Sequence, residues 1–363
     1  MALADLLSSL SAKPVTATNN RVVGIDIGAS SIKVVELQNR ENVITLTTYG
    51  ELELGPYNEE KPVGQSVTLS AQVERQALVD ILRESAVKAK QAVFAMPLSS
   101  SFVTVMSLAA PVTEDISPRV RVEARKYIPV PMAEVTLDWA EVEHGAQKEG
   151  ESETRDVLLA AIQNEALKRF TTLMQTVEFA NPPIEIECFS AIRSLYTEDQ
   201  VDMAIIDVGA VSTKMYIVRG GLLQRMYRIR AGGSLYTEKL ASALKCSFEE
   251  AEILKRSLTI EHSQFSEALK IHQVAYDRVL KEFAQVIAEY ETRAETSVPL
   301  IQLIGGGALF PNFAAYVSQH LNRPAVLAQP FNKVAYPAFM EDTMNSIGSS
   351  FVVALGAALR TFE

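Results

Sequence analysis

Hydrophobic and polar positions follow two periods along the chain. β-Branched and aliphatic residues fill 22–27 and 32–37 on either side of Gly28-Ala29-Ser30-Ser31, which predicts a hairpin, and 43–48 adds a third strand. Residues 55–66 read as a loop. After Ser70, a candidate cap, Leu78, Ile81, Leu82, Ser85 and Ala86 form a helical stripe over 70–90, and 93–96 is a short buried strand. Strand 102–108, helix 115–127 ended by Pro129 and Pro131, strand 136–143, strand 156–162 and a helix from Asn164 to Val177 then give the order β-α-β-β-α. This reads as an α/β module inserted over about residues 98–180. Pro182-Pro183 marks the return, and 184–188 is a further strand.

The opening pattern then recurs. Residues 203–208 form a strand, an Asp-x-Gly turn follows, and strands 214–219 and 222–229 flank a Gly-Gly turn. Residues 234–296 are largely helical. Strand 300–304 runs into Gly305-Gly306-Gly307, a helix follows Pro311, and 346–360 is a closing helix with Phe351, Leu355 and Leu359 on one face. At the start of the chain Leu3, Leu6, Leu7 and Leu10 share one helical face, and 11–20 read as a linker. That segment is either a frayed tail or a docking helix. It has no basic face, which favours a protein partner over a membrane surface.

Composition narrows the function classes. A chain of 363 residues with 48% apolar and 21% charged positions calls for two or more domains. Its net charge of -10, from 34 basic and 44 acidic residues, disfavours binding to nucleic acid or anionic lipid through bulk charge. Two cysteines, Cys188 and Cys246, make no disulfide framework and fit a reducing compartment. The four histidines have no second His or Cys at a zinc-ligand spacing. The longest apolar run, 351–359, is about half the length of a membrane span. Asp5 stands where a secretory signal would be basic. The expectation is a cytoplasmic chain that meets a membrane only through a partner.

Three glycine turns carry the candidate chemistry. They are Asp26-Ile-Gly28-Ala29-Ser30-Ser31-Ile-Lys33, Asp207-Val-Gly209-Ala-Val-Ser212-Thr213-Lys214 and Gly305-Gly306-Gly307, each after a predicted buried strand. One Asp-x-Gly is an ordinary turn signal. Two such turns about 180 residues apart, each followed by Ser/Thr and then Lys, suit a nucleoside triphosphate. Small residues let backbone N–H groups approach phosphate oxygens, and hydroxyls add donors. Asp26 and Asp207 place carboxylates where they can hold a hydrated Mg²⁺. Lys33 either offsets phosphate charge or faces solvent. The third turn lets an adenine lie against backbone.

This order of turns, insert, helical stretch and closing helix resembles the actin, Hsp70 and sugar-kinase ATPases. VVGIDIGASSIKVVELQ, KYIPVPMAEVTLDW (126–139) and FEEAEILKRS (248–257) resemble the PilM family of actin-like proteins of type IV pilus assembly, over essentially residues 20–363. The resemblance implies an α/β actin-like ATPase fold in two lobes. After a tail at 1–20, subdomain 1A takes 21–97 with 181–200 and 346–363. An inserted subdomain, placed like that of FtsA, takes 98–180. Subdomain 2A takes 201–233 with 297–345, and helical subdomain 2B takes 234–296. It assigns Gly28, Ala29, Ser30 and Ser31 to one phosphate turn and Asp207, Gly209, Ser212 and Thr213 to the other, with Asp26 near the metal. It puts Gly232 and Gly233 under the phosphates, and Gly306 and Gly307 at adenosine. In Ala251-Glu252-x-x-Lys255, Glu252 accepts the ribose hydroxyls and Lys255 flanks the base; a surface salt bridge is the plainer reading of that pair.

The implied cofactors are ATP and Mg²⁺. The implied partner is the short cytoplasmic N-terminal peptide of PilN, a single-pass inner-membrane protein, in a groove between the first subdomain and the insert near Tyr127, Ile128 and Trp139. Other inner-membrane platform proteins, assembly ATPases and a second copy of the chain are further expected partners. Residues 101–180 carry 8 basic and 13 acidic residues, which suits a basic peptide or is simply a solvated loop. No residue stands out as a water-positioning base, so at most weak hydrolysis is expected. An FtsA-like filament protein is a rival; the chain ends at Arg360-Thr-Phe-Glu without the linker and membrane helix of that family. A small-molecule kinase is another, with Asp80, Asp115 and Asp138 in no recognisable acceptor motif. A nicotinamide dehydrogenase fails for want of G-x-G-x-x-G after the first strand.

Overall fold

The computed structural model describes residues 20–58, 61–111, 114–142, 154–177, 179, 182–197 and 202–362. The leucine-faced segment at 3–10 lies outside them, as does most of the acidic stretch at 143–153. Among the described residues no helix is long and apolar enough to cross a membrane.

Two five-stranded sheets share one topology. The first contains β1 (Arg21–Ile27), β2 (Ser31–Arg40), β3 (Val43–Glu53), β4 (Gln91–Met96) and β8 (Ile184–Ile186), ordered β3-β2-β1-β4-β8. The second contains β9 (Met203–Val208), β10 (Thr213–Arg219), β11 (Leu222–Ile229), β12 (Leu300–Ile304) and β13 (Ala325–Leu327), ordered β11-β10-β9-β12-β13. In each, three antiparallel strands are followed by two parallel ones. The parallel strands are joined through crossovers, of which α1 (Ala71–Glu84) in the first sheet is one. Ser70 caps α1 by accepting from the Val73 N–H.

The register of the two first hairpins is the same. Asp26 lies opposite Lys33 and Asp207 opposite Lys214. Residues directly opposite in an antiparallel pair project on one face, so each Asp and its Lys point the same way. Lys33 therefore turns into the protein, against the solvent-facing alternative.

The insert forms a third sheet, β5 (Ser101–Ala109), β6 (Val135–Val142) and β7 (Thr154–Gln163), ordered β5-β7-β6, with α2 (Ser117–Ala124) and α3 (Asn164–Gln175). One face joins the core of the first sheet through Val103, Leu158, Ala160 and Ile162. The other packs on α2 through Leu159, Ala161, Val120 and Ala124. Asn164 is not a helix cap: Gln163 holds that place, and the Asn164 side chain joins Thr136 and the Ala133 carbonyl instead.

The strand expected at 184–188 is cut short. β8 ends at Ile186 and helix α4 (Glu187–Leu195) begins at once, all nine of its residues buried. The helix is only nine residues long and follows β8 with no turn between them, and its polar residues Glu187, Ser190 and Arg193 are paired inside the protein, so the pattern at 184–188 read on as strand. The helices α5 (Gly233–Leu244), α6 (Phe248–Ser257) and α7 (Phe265–Ala294) follow β11, α8 (Phe313–Leu321) follows β12, and the closing helix α9 (Glu341–Leu359) starts five residues before its predicted position.

Helix α9 fastens the first sheet to α4. Its backbone approaches so closely that a Cβ on Gly24 would lie 1.9 Å from the Ala354 carbonyl oxygen, and one on Gly356 would lie 1.8 Å from that of Ser190. Beneath this contact Arg193 donates to buried Glu185 and to the Gly356 carbonyl. A methyl group at Gly356 has no room to move aside, because the opposing atoms are backbone. Gly356→Ala is expected to lower the unfolding free energy by about 2 kcal/mol or more, read as a lower midpoint in urea.

Candidate functional site

Both hairpin turns close with the same bond. The Gly28 N–H donates to the Ser31 carbonyl at 3.0 Å, and the Gly209 N–H to that of Ser212 at 3.1 Å. The turns face one another across a cavity of about 350 Å³, within the range of small-molecule sites. Asp26, Ser30, Ser31 and Lys33 line it from one side and Asp207, Gly209 and Lys214 from the other. Gly233, Glu252, Lys255, Gly306 and Gly307 complete the set that the sequence pointed to.

Glycine at two positions lets further backbone close on the second turn. A Cβ on Gly232 would sit 2.4 Å from the Gly209 carbonyl oxygen, so the entry to α5 lies flat on the turn, with the Gly233 and Ser234 N–H groups donating to the Gly209 and Ala210 carbonyls. Gly305 has φ +85° and lies 2.6 Å, by its missing Cβ, from the Val208 carbonyl oxygen. Gly306, by contrast, borders open space.

Some expected contacts turn elsewhere. Thr213 donates its hydroxyl to the Ala231 carbonyl and Ser212 accepts from Arg228, so both side chains brace the second hairpin and do not line the cavity. Gly28 and Ala29 are exposed at the turn, and Ala29 accepts from the Val67 N–H. Ser31 donates to Glu51 and accepts from Lys33, each at 2.8 Å. Ile128 is buried in the core of the insert, Trp139 is half-buried against that core, and Tyr127 is exposed, as is Val122 on α2.

The charges at the centre are unevenly partnered. Lys33 pairs with Glu51 at 2.8 Å. Asp26 makes no hydrogen bond among the described residues; burial pushes its carboxyl up to about 7, against the opposing pull of Lys33. Lys214 stands 2.9 Å from Asp207 and 2.8 Å from Glu187. Burial works against its charge, and the Asp207 and Glu187 carboxylates outweigh that and hold its ammonium above the usual lysine range. Glu187 was not anticipated: it is the first residue of the concealed helix α4, and its other oxygen accepts from the Leu98 N–H.

Glu252 is likewise engaged. It accepts from Thr237, Lys255 and Arg256, and Arg256 also reaches Glu53 on β3 at 2.7 Å, bridging the two sides of the cleft. Glu252 and Lys255 thus do form a salt bridge, but a largely buried one in the cavity wall and not a surface pair. Gly64, at φ +80°, passes over Glu252, and its carbonyl accepts from Ser234. Farther in, His272 stacks on Phe310 with centroids 3.9 Å apart, beside Tyr276 and Tyr236. His272 and Tyr276 are one turn apart on α7, a spacing visible in the sequence and passed over there.

A nucleotide fits these walls. The oxygens Ser349 Oγ and Glu53 Oε2 are buried without partners beside the cavity, and a ligand bearing hydroxyl and amino groups supplies what they lack. The aromatic wall and the bare Gly306 suit a flat base. For Mg²⁺ the fit is narrower. No group of three or more His, Cys, Asp or Glu able to hold a metal occurs among the described residues, and Asp207 is already bound to Lys214. Asp26 remains as the carboxylate free to take a hydrated ion.

The profile of the family described as type IV pilus assembly protein PilM matches residues 24–362. The chain belongs to that family. Among solved structures, a PilM-PilN type IV pilus biogenesis complex is 23% identical with a TM-score of 0.78, covering 94% of this chain and 98% of that one. The ethanolamine utilization protein EutJ from Carboxydothermus hydrogenoformans is 16% identical with a TM-score of 0.53, covering 99% and 95%. MreB 5 of Spiroplasma citri bound to AMPPNP is 13% identical with a TM-score of 0.51, covering 93% and 95%. At these identities the likeness establishes the fold, which is that of the actin-like ATPases.

His272 makes the aromatic end of the cleft acid-sensitive. Burial, with Lys255 adding to it, pushes its imidazole down to about 3 from an ordinary value of 6.5. The unfolded chain therefore binds a proton that the folded chain excludes. The stabilisation is complete above pH 6.5 and is lost as the pH falls toward 3, at up to about 1.4 kcal/mol per pH unit. His272→Phe is expected to remove that portion of the acid sensitivity, measured by urea unfolding at pH 7 and pH 5.

Proposed function

We propose that this chain is a nucleotide-holding scaffold of type IV pilus assembly, with ATP in the cleft and the cytoplasmic N-terminal peptide of PilN as its partner. The observation that carries the nucleotide is the pair of Asp-x-Gly turns, in identical register on two sheets of identical topology, facing one cavity. Backbone N–H groups at Ala29–Ser31 and Ala210–Ser212 would receive the phosphates, those of Gly28 and Gly209 closing the turns, with Lys33 contributing positive charge. Mg²⁺ would accompany the triphosphate through water on the Asp26 side. Glu252 and Lys255 would reach the ribose and base by yielding part of their present pairing, and Gly306 and Gly307 would face the adenosine.

Family membership and the likeness to a PilM-PilN complex support the peptide as partner. On this chain the exposed Tyr127 and Val122 and the half-buried Trp139 offer it apolar contact. Asp138, on the other face of the insert sheet and turned toward the first sheet, has a buried oxygen without a partner, an acceptor for a peptide N–H or a basic side chain. Ile128 supports this surface from beneath. Such a partner would hold the chain at the inner membrane, in reach of other platform proteins and assembly ATPases.

Gly306→Val tests the ligand without disturbing the fold, since a side chain there meets no protein atom. The wild-type chain is expected to gain several degrees in Tm with ATP at about 100 times Kd, equivalent to about 2.7 kcal/mol. The variant should melt like wild type without nucleotide and lose at least about tenfold in ATP affinity. Absence of any ATP-dependent shift in wild type refutes the nucleotide reading. For the partner, titration calorimetry with a PilN N-terminal peptide is expected to show binding that Tyr127→Ala weakens by about tenfold; no heat of binding in the wild-type chain refutes it.

A further inference from the structure

The two sheets place a lysine at the same point, yet the two lysines meet different neighbours. On the first sheet Lys33 lies opposite Asp26 on one side and Glu51 on the other, and its ammonium goes to Glu51. On the second sheet the residue facing Lys214 from β11 is Arg228, which repels it. Lys214 therefore turns the other way, between Asp207 and the Glu187 carboxylate at the start of α4. All three side chains are about nine-tenths buried or more, and all line the nucleotide cleft.

We propose that Lys214 is a built-in cation that fills the divalent-metal position between Asp207 and Glu187 and lets the cleft hold a nucleotide without a metal bound to those two carboxylates. A Mg²⁺ ion there would need oxygens at about 2.1 Å. The ammonium already stands within hydrogen-bond distance of both carboxylates, and a dication beside it would meet its charge at short range. Glu187 has its second oxygen on the Leu98 N–H, so each of its oxygens is already committed to a hydrogen bond. The positive charge is covalently tethered, so it faces the phosphates at any metal concentration. The consequence for ATP rests on the nucleotide reading of the cleft; the exclusion of metal from the carboxylate pair does not.

The test compares the full chain with Lys214→Met and Lys214→Arg. Mn²⁺ binding to the nucleotide-free protein is followed by electron paramagnetic resonance, and ATP affinity is measured with Mg²⁺ and with EDTA. Wild type is expected to lose less than about tenfold in ATP affinity in EDTA. Lys214→Met is expected to bind Mn²⁺ at least about tenfold more tightly than wild type and to require Mg²⁺ for ATP, while Lys214→Arg, which restores the charge, returns both toward wild type. Equal Mn²⁺ affinity in wild type and Lys214→Met overturns the assignment. So does Mn²⁺ binding in Lys214→Arg as tight as in Lys214→Met, because the charge at that position is then not what keeps the ion away. A clear Mn²⁺ contrast with no ATP binding under either condition supports the lysine's role and refutes only the nucleotide reading.

Discussion

The cleft depends on how closely bare backbone packs around the end of one strand. The entry to α5 lies on the Gly209 turn and the exit of β12 crosses Val208, and each contact exists because Gly232 and Gly305 carry no side chain where a carbonyl oxygen stands. These approaches set the second turn rigidly against the ends of two other segments. The turn's own closing bond, from Gly209 to Ser212, then fixes where its N–H groups point. Glycine costs conformational entropy in the unfolded chain, and it is retained where no other residue can occupy the space.

Charge is the second constraint, and it follows from the first. Packing the turns together moves Asp26, Asp207, Glu187, Lys33 and Lys214 out of bulk water into a site where no such charge is stable alone. The structure resolves this by ion pairs within each lobe and by bridges between them, Lys214 reaching Glu187 and Arg256 joining Glu252 to Glu53. Asp26 is left without such a partner, so burial raises its pKa and it is the carboxylate best disposed to an incoming cation. The closure of Gly64 over Glu252 and the bridge at Arg256 together show a cleft whose walls touch at the mouth while its floor stays open enough for a ligand.

Much of this was legible in the sequence. The glycine turns were visible through repetition: a single Asp-x-Gly is an ordinary turn signal, but two about 180 residues apart, each followed by Ser/Thr and then Lys, are not. The repeat of the hairpin pattern at 203–229 disclosed the second sheet, and the β-α-β-β-α order disclosed the insert. What escaped notice has particular causes. Helix α4 is nine residues long and follows β8 without a turn, so its first residue Glu187 read as the end of a strand and was not placed in the cleft. Edge strand β13 is three residues long and too short to register. The hydroxyls of Ser212 and Thr213 looked like phosphate donors by type alone, yet neighbouring strands capture them.

The sequence alone determined the local geometry: which segments alternate, which turns are tight, which residues have no side chain, and that each Asp has a Lys seven positions on. Those follow from short-range sterics and periodicity, which act between residues close along the chain. Only the tertiary structure decided the partners. Whether a lysine serves Glu51 or Asp207 and Glu187 depends on what the next strand and a distant helix present to it, Glu51 in one sheet and Arg228 in the other. Electrostatic pairing and desolvation act between groups brought together by folding, and their outcome at Lys214 is set by residues 7, 14 and 27 positions away.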